Sequence, residues 1–368
     1  MIHFPGKLAL QQRVLPNYRV PFFDLLASAC EAGMSLFAGS PRPLEGITTT
    51  DELSVARYTT GRNIHIFNGS FTLYYQPGLV DWLRDWNPDA LIVEANSRDL
   101  STASAIRWMH GRGRPVIGWG LGSPPLSGIF ARYLQSRRLS FLNQFDALIA
   151  YSRRGAEEYA QLGFPKDRIF VAPNAVSPPP AFPLPVRSAT FNGRPYLLFV
   201  GRLQARKRID HLLKACAQLE SQPRLVVIGE GPERRALELL AQEIYPSAEF
   251  IGARHGTDLK PYFTEADLFV LPGTGGLAIQ EAMSYGLPVI VAQGDGTQDD
   301  LVQKGNGWQI PPPPGDFGAL VSTLKEALSD VARLRRMGTE SYRIVKEEIN
   351  IEKMVKTFVQ ALSLTLRK

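Results

Sequence analysis

Short apolar runs alternate with amphipathic segments along most of the chain. Runs such as residues 34–39 (MSLFAG) and 115–120 (PVIGWG) have the length and the flanking turn residues of buried strands. Between them lie segments with a helical spacing of apolar residues. One of these is 20–33 (VPFFDLLASACEAG), which predicts a helix that ends at Gly33. Strands that alternate with helices indicate a parallel sheet covered by helices on both faces.

The alternation is interrupted once, by residues 173–190, which contain six prolines. The strand–helix pattern restarts after this segment. We therefore predict an α/β chain of two doubly wound Rossmann-like domains, 1–173 and 191–350, joined by a Pro-rich linker at 174–190. Ligands bind beyond the carboxyl ends of such sheets, so the two domains are expected to face each other across a cleft. The last segment, 351–368, is predicted as a helix that packs back on the first domain.

The composition indicates an ordinary globular protein, with 44% hydrophobic and 21% charged residues. Cys30 and Cys216 lie far apart, with no CxxC motif or His/Cys cluster near either, which argues against a disulfide framework or a structural zinc site. No stretch resembles a signal peptide, and no apolar run is long enough to span a bilayer. A cytoplasmic location is expected.

The net charge of +6 is concentrated in one region. Residues 98–154 contain nine arginines against two acids, Asp99 and Asp146. A local positive field points to an anionic partner such as phosphate or a lipid surface, although a solvated basic face would give the same pattern. The chain has no aromatic platform or groove-reading helix, which argues against nucleic acid as the partner.

Residues 123–145 combine apolar and basic positions at helical spacing. The apolar face contains Leu126, Ile129, Phe130, Tyr133 and Leu134, and it is flanked by Arg132, Arg137 and Arg138. The pattern favours a core helix whose arginines reach solvent. A basic amphipathic helix that lies on an anionic membrane stays open as the alternative.

A glycine-rich corner follows the apolar run at 267–272, where GTGG leads into the helical segment AIQEAMSYG. Bare backbone at a helix start suits a phosphate group, although glycines also make a simple tight turn. One acid, Glu281, lies about one turn inside the helix. A carboxylate there suits the two hydroxyls of a ribose, and an exposed helix glutamate is the alternative.

Two cations follow the first strand of the second domain, in FVGRLQARKRID. Arg202 and Lys207 would neutralise a diphosphate, although solvated loop cations would have the same sequence. Two further strand-end turns, 226–233 (VVIGEGPE) and 250–256 (FIGARHG), are expected on the same edge of the sheet.

Residues 196–328 resemble the donor-binding half of the retaining glycosyltransferases of family 4, which have the GT-B fold. The segments that carry the resemblance are FVGRLQARKRIDHLLKA, LVVIGEGPERRALELLA, FIGARHGTDLKPYFTEADLFVLPG, GLAIQEAMSYGLPVIVA and NGWQIPPPPGDFGAL. In the first domain, RVLPNYRVPFFDLLA and PVIGWGLG resemble the family more loosely.

The resemblance implies a role for each matching residue. Arg202 and Lys207 correspond to the diphosphate clamp, and Glu281 corresponds to the acid that binds the ribose; these three are the predicted catalytic residues. The predicted donor-binding residues are Gly201, Glu230, Arg254, Gly273, Thr274, Gly275, Gly276 and Leu277.

The chain departs from the family pattern at two positions. The first of the two glutamates that the family places eight residues apart falls on Gly273, and that acid normally contacts the transferred sugar. Many relatives also have a histidine where this chain has Leu121. These departures leave open which sugar is transferred and which group of the first domain holds it.

The acceptor is expected on the first domain, at polar residues that follow its strands. The predicted acceptor-side residues are Arg13, Asn17, Tyr18, Arg19, Asn96, Arg98 and Trp119. Ordinary loop polarity is the alternative reading of these residues.

Together these features predict a hexosyltransferase-type enzyme of polysaccharide or glycolipid biosynthesis. It would move a sugar from a nucleoside diphosphate sugar to a hydroxyl of a glycan or glycolipid, with retention of configuration. A UDP-sugar is the favoured donor, and a GDP-sugar stays open. The chain lacks a DxD motif and offers two cations for the leaving group, so no metal or other cofactor is expected. A peripheral contact of the protein with the inner face of an anionic membrane stays open. The alternatives are a non-catalytic subunit that binds nucleotide sugars and a sugar-nucleotide epimerase of the same fold.

Overall fold

The computed structural model describes residues 3–42, 45, 47–66, 72–294, 296–312 and 317–366. The chain divides into two compact units, one formed by Met1–Pro178 together with Ile351–Lys368 and the other by Pro179–Asn350. The division lies within the Pro-rich segment at 174–190.

The first unit is built on a seven-stranded parallel sheet. Its strands are β1 (Leu8–Val14), β2 (Met34–Gly39), β3 (Arg57–Thr60), β6 (Ala90–Glu94), β7 (Val116–Gly120), β8 (Ala147–Ala150) and β9 (Ile169–Val171). Their spatial order is β3-β2-β1-β6-β7-β8-β9. The remaining strands, β4 (Ile64–Ile66) and β5 (Leu73–Tyr75), form a separate antiparallel pair. The central strands are buried because helices cover both faces of the sheet.

The helices of this unit are α1 (Val20–Ser28), α2 (Leu79–Trp86), α3 (Thr102–His110), α4 (Ala131–Leu142) and α5 (Arg153–Leu162). The prediction that the first helix ends at Gly33 was wrong, because α1 stops at Ser28. The backbone of Phe4 pairs with the chain just after the helix: its amide donates to the Ala29 carbonyl over 2.8 Å, and its carbonyl accepts from Glu31 over 2.9 Å. This pairing takes up backbone groups that a longer helix would need.

The second unit is built on a six-stranded parallel sheet. Its strands are β10 (Tyr196–Val200), β11 (Arg224–Ile228), β12 (Glu249–Gly252), β13 (Leu268–Leu271), β14 (Val289–Ala292) and β15 (Gly307–Ile310), in the spatial order β12-β11-β10-β13-β14-β15. Its helices are α6 (Ile209–Ala217), α7 (Arg234–Ile244), α8 (Lys260–Glu265), α9 (Ala278–Ser284), α10 (Thr297–Leu301), α11 (Phe317–Ser329) and α12 (Val331–Glu347). The prediction of two doubly wound domains is confirmed.

The last helix, α13 (Ile351–Leu366), belongs to the first unit. The Phe358 ring packs edge-on against Phe22 of α1, with 5.0 Å between ring centroids, and lies 5.0 Å from the ring of Trp119. The amide of Ile351 donates to the Ser177 carbonyl over 3.1 Å. The aromatic contacts place this helix over the core beneath β7.

The strand order reverses between β1 and β6 in the first sheet and between β10 and β13 in the second. Open sheets of this type bind ligands beyond the carboxyl ends of the strands, at the point of reversal. The segments found there are 13–19 and 94–98 in the first unit, and 201–208 and 273–277 in the second.

Candidate functional site

Two loops meet at the reversal point of the second sheet. The β10 loop contains Lys207 in the short turn Ala205–Lys207, and β13 leads into the glycine-rich loop at 273–277. The amide of Thr274 donates a hydrogen bond to the Arg206 carbonyl over 3.0 Å. The two loops are therefore joined through their backbones.

Gly273 packs directly against the backbone of the β10 loop. A Cβ atom at this position would overlap the carbonyl oxygen of Arg206 and would lie 2.5 Å from the Cα of Lys207. Backbone atoms cannot rotate away as a flexible side chain can, so this close approach requires glycine. At the position where the family resemblance predicts a glutamate, the neighbouring loop fills the space beside the Gly273 backbone.

Lys207 fixes the same junction with its side chain. Its ammonium group donates hydrogen bonds of 2.8 Å to the carbonyls of both Thr274 and Gly275. The side chain is only 5% exposed. Burial, assisted by the charge of Arg206, lowers the pKa of Lys207 to about 8. Since an ammonium group has three donors, one N–H remains for an anion placed on the glycine-rich loop.

Glu281 lies in α9, behind the glycine-rich loop, and is partly buried. Burial raises the pKa of its carboxyl group. Among the residues that the structure describes, none forms a salt bridge or hydrogen bond with this carboxylate. A desolvated carboxylate with open acceptor positions is suited to hydroxyl groups of a ligand.

The other predicted donor-side groups lie on neighbouring loops of the same edge. Arg202 is exposed just after β10. Glu230, after β11, forms an ion pair with Arg234 of α7, and Arg254, after β12, donates to the carbonyl of Ala253 over 2.9 Å. The structure therefore joins Lys207 to the glycine-rich loop, whereas Glu230 and Arg254 are engaged with near neighbours in the chain.

A cavity of about 490 Å³ opens at the reversal point of the first sheet. Four predicted acceptor-side residues line it, namely Arg13, Asn96, Arg98 and Trp119. Leu121, where the family resemblance predicts a histidine, also lines the cavity and is 49% exposed. Trp119 is buried and forms part of the cavity floor. The side chain of Arg13 is neutralised by Glu45, whose carboxylate accepts from it over 2.9 Å.

The structure corrects the prediction for Arg19. This side chain is 5% exposed and does not line the cavity. Its guanidinium lies 5.2 Å from the centre of the Trp119 ring and donates to the side chain of Asn174 and the carbonyl of Ala175. Because its hydrogen-bonding groups serve the segment after β9, Arg19 has a structural role.

Asn17 and Tyr18 lie in the short turn before α1 and are both exposed. Neither lines the cavity. Of the four residues predicted at the first strand-to-helix turn, Arg13 alone reaches it.

Glu94 is a cavity residue that the sequence analysis did not single out. It ends β6 and lines the cavity, and burial raises the pKa of its carboxyl group. One oxygen accepts from the backbone amide of Arg13 over 2.8 Å, and the other accepts from the Tyr74 hydroxyl over 3.2 Å. Its signal in the sequence is an acid that directly ends the apolar run at 90–93.

The interpretation of residues 123–145 as a core helix was wrong. The helix α4 begins only at Ala131, and Leu142 is its one buried residue. The predicted apolar face is largely exposed: 97% for Ile129, 70% for Phe130 and 60% for Tyr133. We call Ile129, Phe130, Tyr133 and Leu134 the α4 patch.

Within the described part of the chain, no group of three or more His, Cys, Asp or Glu side chains is placed to hold a metal ion. None of the helices in the same residues is long and apolar enough to cross a membrane.

Two family models match the chain, one in each unit. Residues 184–344 match the model described as "Glycosyl transferases group 1", and residues 36–178 match "Glycosyltransferase Family 4". Together the matches leave only short segments of the chain unassigned.

Several curated proteins are similar to parts of the chain. It is 36% identical over 123 residues to a GDP-mannose-dependent alpha-mannosyltransferase of Mycobacterium tuberculosis, which covers 33% of this chain and 31% of the relative. It is 32% identical over 159 residues to the sulfoquinovosyl transferase SQD2 of Arabidopsis thaliana, covering 40% of this chain and 31% of the relative. These matches span about a third of the relatives' length. The lipopolysaccharide core biosynthesis glycosyltransferase LpsE of Rhizobium meliloti is 23% identical, with 79% of this chain and 90% of the relative covered.

Solved structures resemble the whole chain. The apo lipopolysaccharide outer core galactosyltransferase WaaB aligns with a TM-score of 0.67 at 17% identity, covering 97% of this chain and 99% of that chain. HepE of Anabaena, solved in complex with UDP, aligns with a TM-score of 0.69 at 16% identity, with the same coverage. At these identities the likeness establishes the fold, which is GT-B.

Proposed function

We propose that this chain, a family 4-like glycosyltransferase with the GT-B fold, moves a sugar from a nucleoside diphosphate sugar to a hydroxyl of a glycan or glycolipid. The observation that carries the proposal is the arrangement at the reversal point of the second sheet. There a buried cation, Lys207, is fixed on a glycine-rich loop, and an unpaired carboxylate, Glu281, stands behind that loop. A diphosphate needs the cation and a ribose diol suits the carboxylate.

The nucleotide is proposed to be UDP, with GDP as the second candidate. HepE of Anabaena, which resembles the whole chain, was solved with UDP, whereas the curated mannosyltransferase of Mycobacterium tuberculosis, which has higher identity to this chain, is GDP-mannose-dependent. A thermal-shift panel of UDP-sugars and GDP-sugars decides between them. Saturable stabilisation by the UDP-sugars supports UDP, and stabilisation by the GDP-sugars alone supports GDP. The absence of stabilisation by either series would refute a nucleoside diphosphate sugar as the donor.

Catalysis is proposed to rest on stabilisation of the leaving group. The bond between the anomeric carbon and the β-phosphate oxygen breaks, and the acceptor oxygen bonds to the same face of that carbon, which retains the configuration. The acceptor proton passes to the leaving phosphate. Lys207 and Arg202 stabilise the negative charge that develops there. No protein nucleophile is needed, so the glycine at 273 is compatible with the reaction.

Donor affinity should fall at alkaline pH. In the free protein, burial brings the pKa of Lys207 to about 8, and only the protonated form attracts the diphosphate. Affinity is therefore expected to be constant below pH 8 and to fall by up to about tenfold per pH unit above it. Lys207→Arg keeps its charge in this range and should give a flat profile. Calorimetric titration of the preferred nucleotide sugar from neutral to alkaline pH tests this, and a flat wild-type profile would contradict it.

Metal chelation should leave the transfer reaction intact, because two cations are proposed to serve the leaving group. The check is the initial rate after EDTA treatment, with and without added manganese. Complete loss on chelation and recovery with manganese would refute metal independence.

We further propose that the α4 patch touches an anionic membrane surface. Exposed apolar side chains next to Arg132 and Arg137 provide both the insertion and the charge that such a contact requires. The relation to the lipopolysaccharide enzyme LpsE fits a lipid-linked acceptor.

Cosedimentation with anionic vesicles at low salt tests the membrane contact. Changing Ile129 and Phe130 to serine should weaken vesicle binding by about tenfold or more. Val186, which is 99% exposed and lies in the other unit, provides the matched control, since Val186→Ser should bind as the wild type does. Equal binding by all three proteins would contradict the proposal.

A further inference from the structure

We propose that the cavity of the first unit recognises an acceptor with two chemically different ends, a hydroxylated end held by Glu94 and an anionic end held by Arg98 and Arg138. This inference rests on the proposed function, because it assigns the acceptor class of the same enzyme. The anionic end is a phosphate or a carboxylate group.

Glu94 is held rigidly at the reversal point. Its backbone amide donates to the side-chain oxygen of Gln11 over 3.2 Å, and its two carboxylate oxygens each accept one hydrogen bond, from Arg13 and Tyr74. A carboxylate oxygen has two lone-pair sites, so each oxygen keeps one acceptor position. The two donors to this carboxylate are both uncharged groups, the backbone amide of Arg13 and the hydroxyl of Tyr74. Hydroxyl donors of a ligand can therefore be added without displacing an ion pair.

The charge of Arg13 is balanced by a neighbouring carboxylate and is not available to a ligand. Its guanidinium donates to both oxygens of Glu45, over 3.2 and 2.9 Å. Arg42 also contacts this carboxylate, over 3.2 Å. Arg13 therefore shapes the cavity wall beside Glu94 while its charge is balanced within the protein.

Arg98 and Arg138 remain as the cationic part of the cavity. Arg138 donates to the carbonyl of Pro124 over 2.9 Å, which holds its side chain at the cavity without neutralising it. Among the described residues, no carboxylate forms a salt bridge with Arg98 or Arg138. Glu94 is the only acid among the described residues that line the cavity. The lining thus has one acidic position and two unbalanced arginines, which favours a ligand that has both hydroxyls and a negative charge.

The other arginines of the basic segment have different positions. Arg107 donates to Ser104, Arg112 stacks 3.9 Å from the centre of the Trp108 ring, and Arg114 donates to Asn87. None of these three lines the cavity. Of the nine arginines in residues 98–154, Arg98 and Arg138 are the two that line the cavity, so substitutions of these two test the proposal.

The test is equilibrium binding to the intact protein, by calorimetry, of three probes that separate the two ends. Glucose 1-phosphate has both ends, methyl α-glucoside has only hydroxyls, and inorganic phosphate has only the anion. Vesicles of phosphatidylcholine with and without phosphatidylinositol form a second arm, because a lipid headgroup offers the same chemistry. Binding of glucose 1-phosphate alone indicates a free anionic glycan. Binding of the phosphatidylinositol vesicles indicates a lipid-linked acceptor only where it falls on changing Arg98 and Arg138 and persists on changing Ile129 and Phe130 of the α4 patch, because that patch is itself proposed to bind anionic vesicles.

Two cavity variants and one control define the outcome. Changing Arg98 and Arg138 together to glutamine should weaken binding of glucose 1-phosphate by about tenfold or more, because each substitution removes charge-assisted hydrogen bonds to the phosphate group. The matched change of Arg107 and Arg112 to glutamine removes the same charge outside the cavity and should have little effect. Glu94→Gln, which keeps the size of the side chain, should weaken glucose 1-phosphate but leave phosphate unchanged. Thermal melts of each variant establish that it is folded.

The proposal is overturned if methyl α-glucoside binds as tightly as glucose 1-phosphate, or if no probe binds saturably. It is also overturned if changing Arg107 and Arg112 weakens binding as much as changing Arg98 and Arg138 does. Titration of the preferred nucleoside diphosphate with the same variants separates this result from the proposed function. If one of these outcomes occurs while the nucleotide binds the wild type and all variants normally, only the acceptor assignment has failed. If the nucleotide does not bind the wild type, the proposed function fails.

Discussion

Replacing Gly273 with glutamate, which restores the pair of glutamates of the family pattern, is expected to destabilise the second unit and to abolish nucleotide binding. The Cβ of any larger residue would overlap the Arg206 carbonyl and crowd the Cα of Lys207. The β10 loop would have to move, and the hydrogen bonds from Lys207 to the glycine-rich loop would be lost. Overpacking of this kind costs about 3 kcal/mol, which corresponds to a loss of about 10 °C in melting temperature for a unit of this size.

Gly273→Ala should already produce most of the effect, since the overlap begins at the Cβ atom. Gly305 provides the control in the same unit, because a Cβ there would meet only Glu340, at an ordinary distance of 3.6 Å. Gly305→Ala should therefore melt close to the wild type. Differential scanning calorimetry and nucleotide titration of the three variants measure both effects. A Gly273→Glu protein with normal stability and improved activity would show that the glutamate was simply lost.

Removing the carboxylate of Glu281 should weaken the preferred nucleoside diphosphate by about 100-fold, because charge-assisted hydrogen bonds to a diol contribute about 1.5–3 kcal/mol each. The carboxylate is partly buried and has open acceptor positions, so its proposed hydrogen bonds to a ligand replace none made by the described residues. Glu281→Ala is therefore expected to alter ligand affinity far more than thermal stability.

The 2′-deoxy form of the same nucleotide makes the test specific for the ribose. The wild type should bind it at least about tenfold more weakly, since one hydrogen bond to the carboxylate is lost. Glu281→Ala should bind both forms equally, and Glu243→Ala, an exposed glutamate of α7, should behave as the wild type does. If Glu281→Ala still discriminates between the two nucleotides, the carboxylate does not hold the ribose.

The fold follows from the sequence because the alternation of buried strands and amphipathic helices is local information. The strands at 34–39 and 268–271 are short, apolar and bounded by turn residues, and the structure places them in the interior of two parallel sheets. Gly273 illustrates what local information omits. The sequence shows that the glutamate is absent, but only the structure shows the loop that fills its place.

The first-domain predictions failed where the environment of a side chain decides its role. Arg13 lies near the end of β1 and Arg19 directly before α1, in one polar segment, yet the guanidinium of Arg19 is buried against Trp119 and Asn174. The apolar residues of the α4 patch have the spacing of a core helix, but they face solvent. Glu94 was missed because an acid that ends an apolar run does not by itself distinguish a binding residue from an ordinary strand-end residue, and the cavity around it is visible only in the structure.

The rate of nucleoside diphosphate release from UDP-sugars and GDP-sugars, with and without a crude glycolipid acceptor fraction, tests the proposed transfer reaction most directly. We predict release from one nucleotide series that requires the acceptor and falls by about 100-fold or more in Lys207→Ala, which removes the buried cation proposed to stabilise the leaving group. Release that is absent with every donor, or that proceeds equally in wild type and Lys207→Ala, would contradict a transferase centred on this loop.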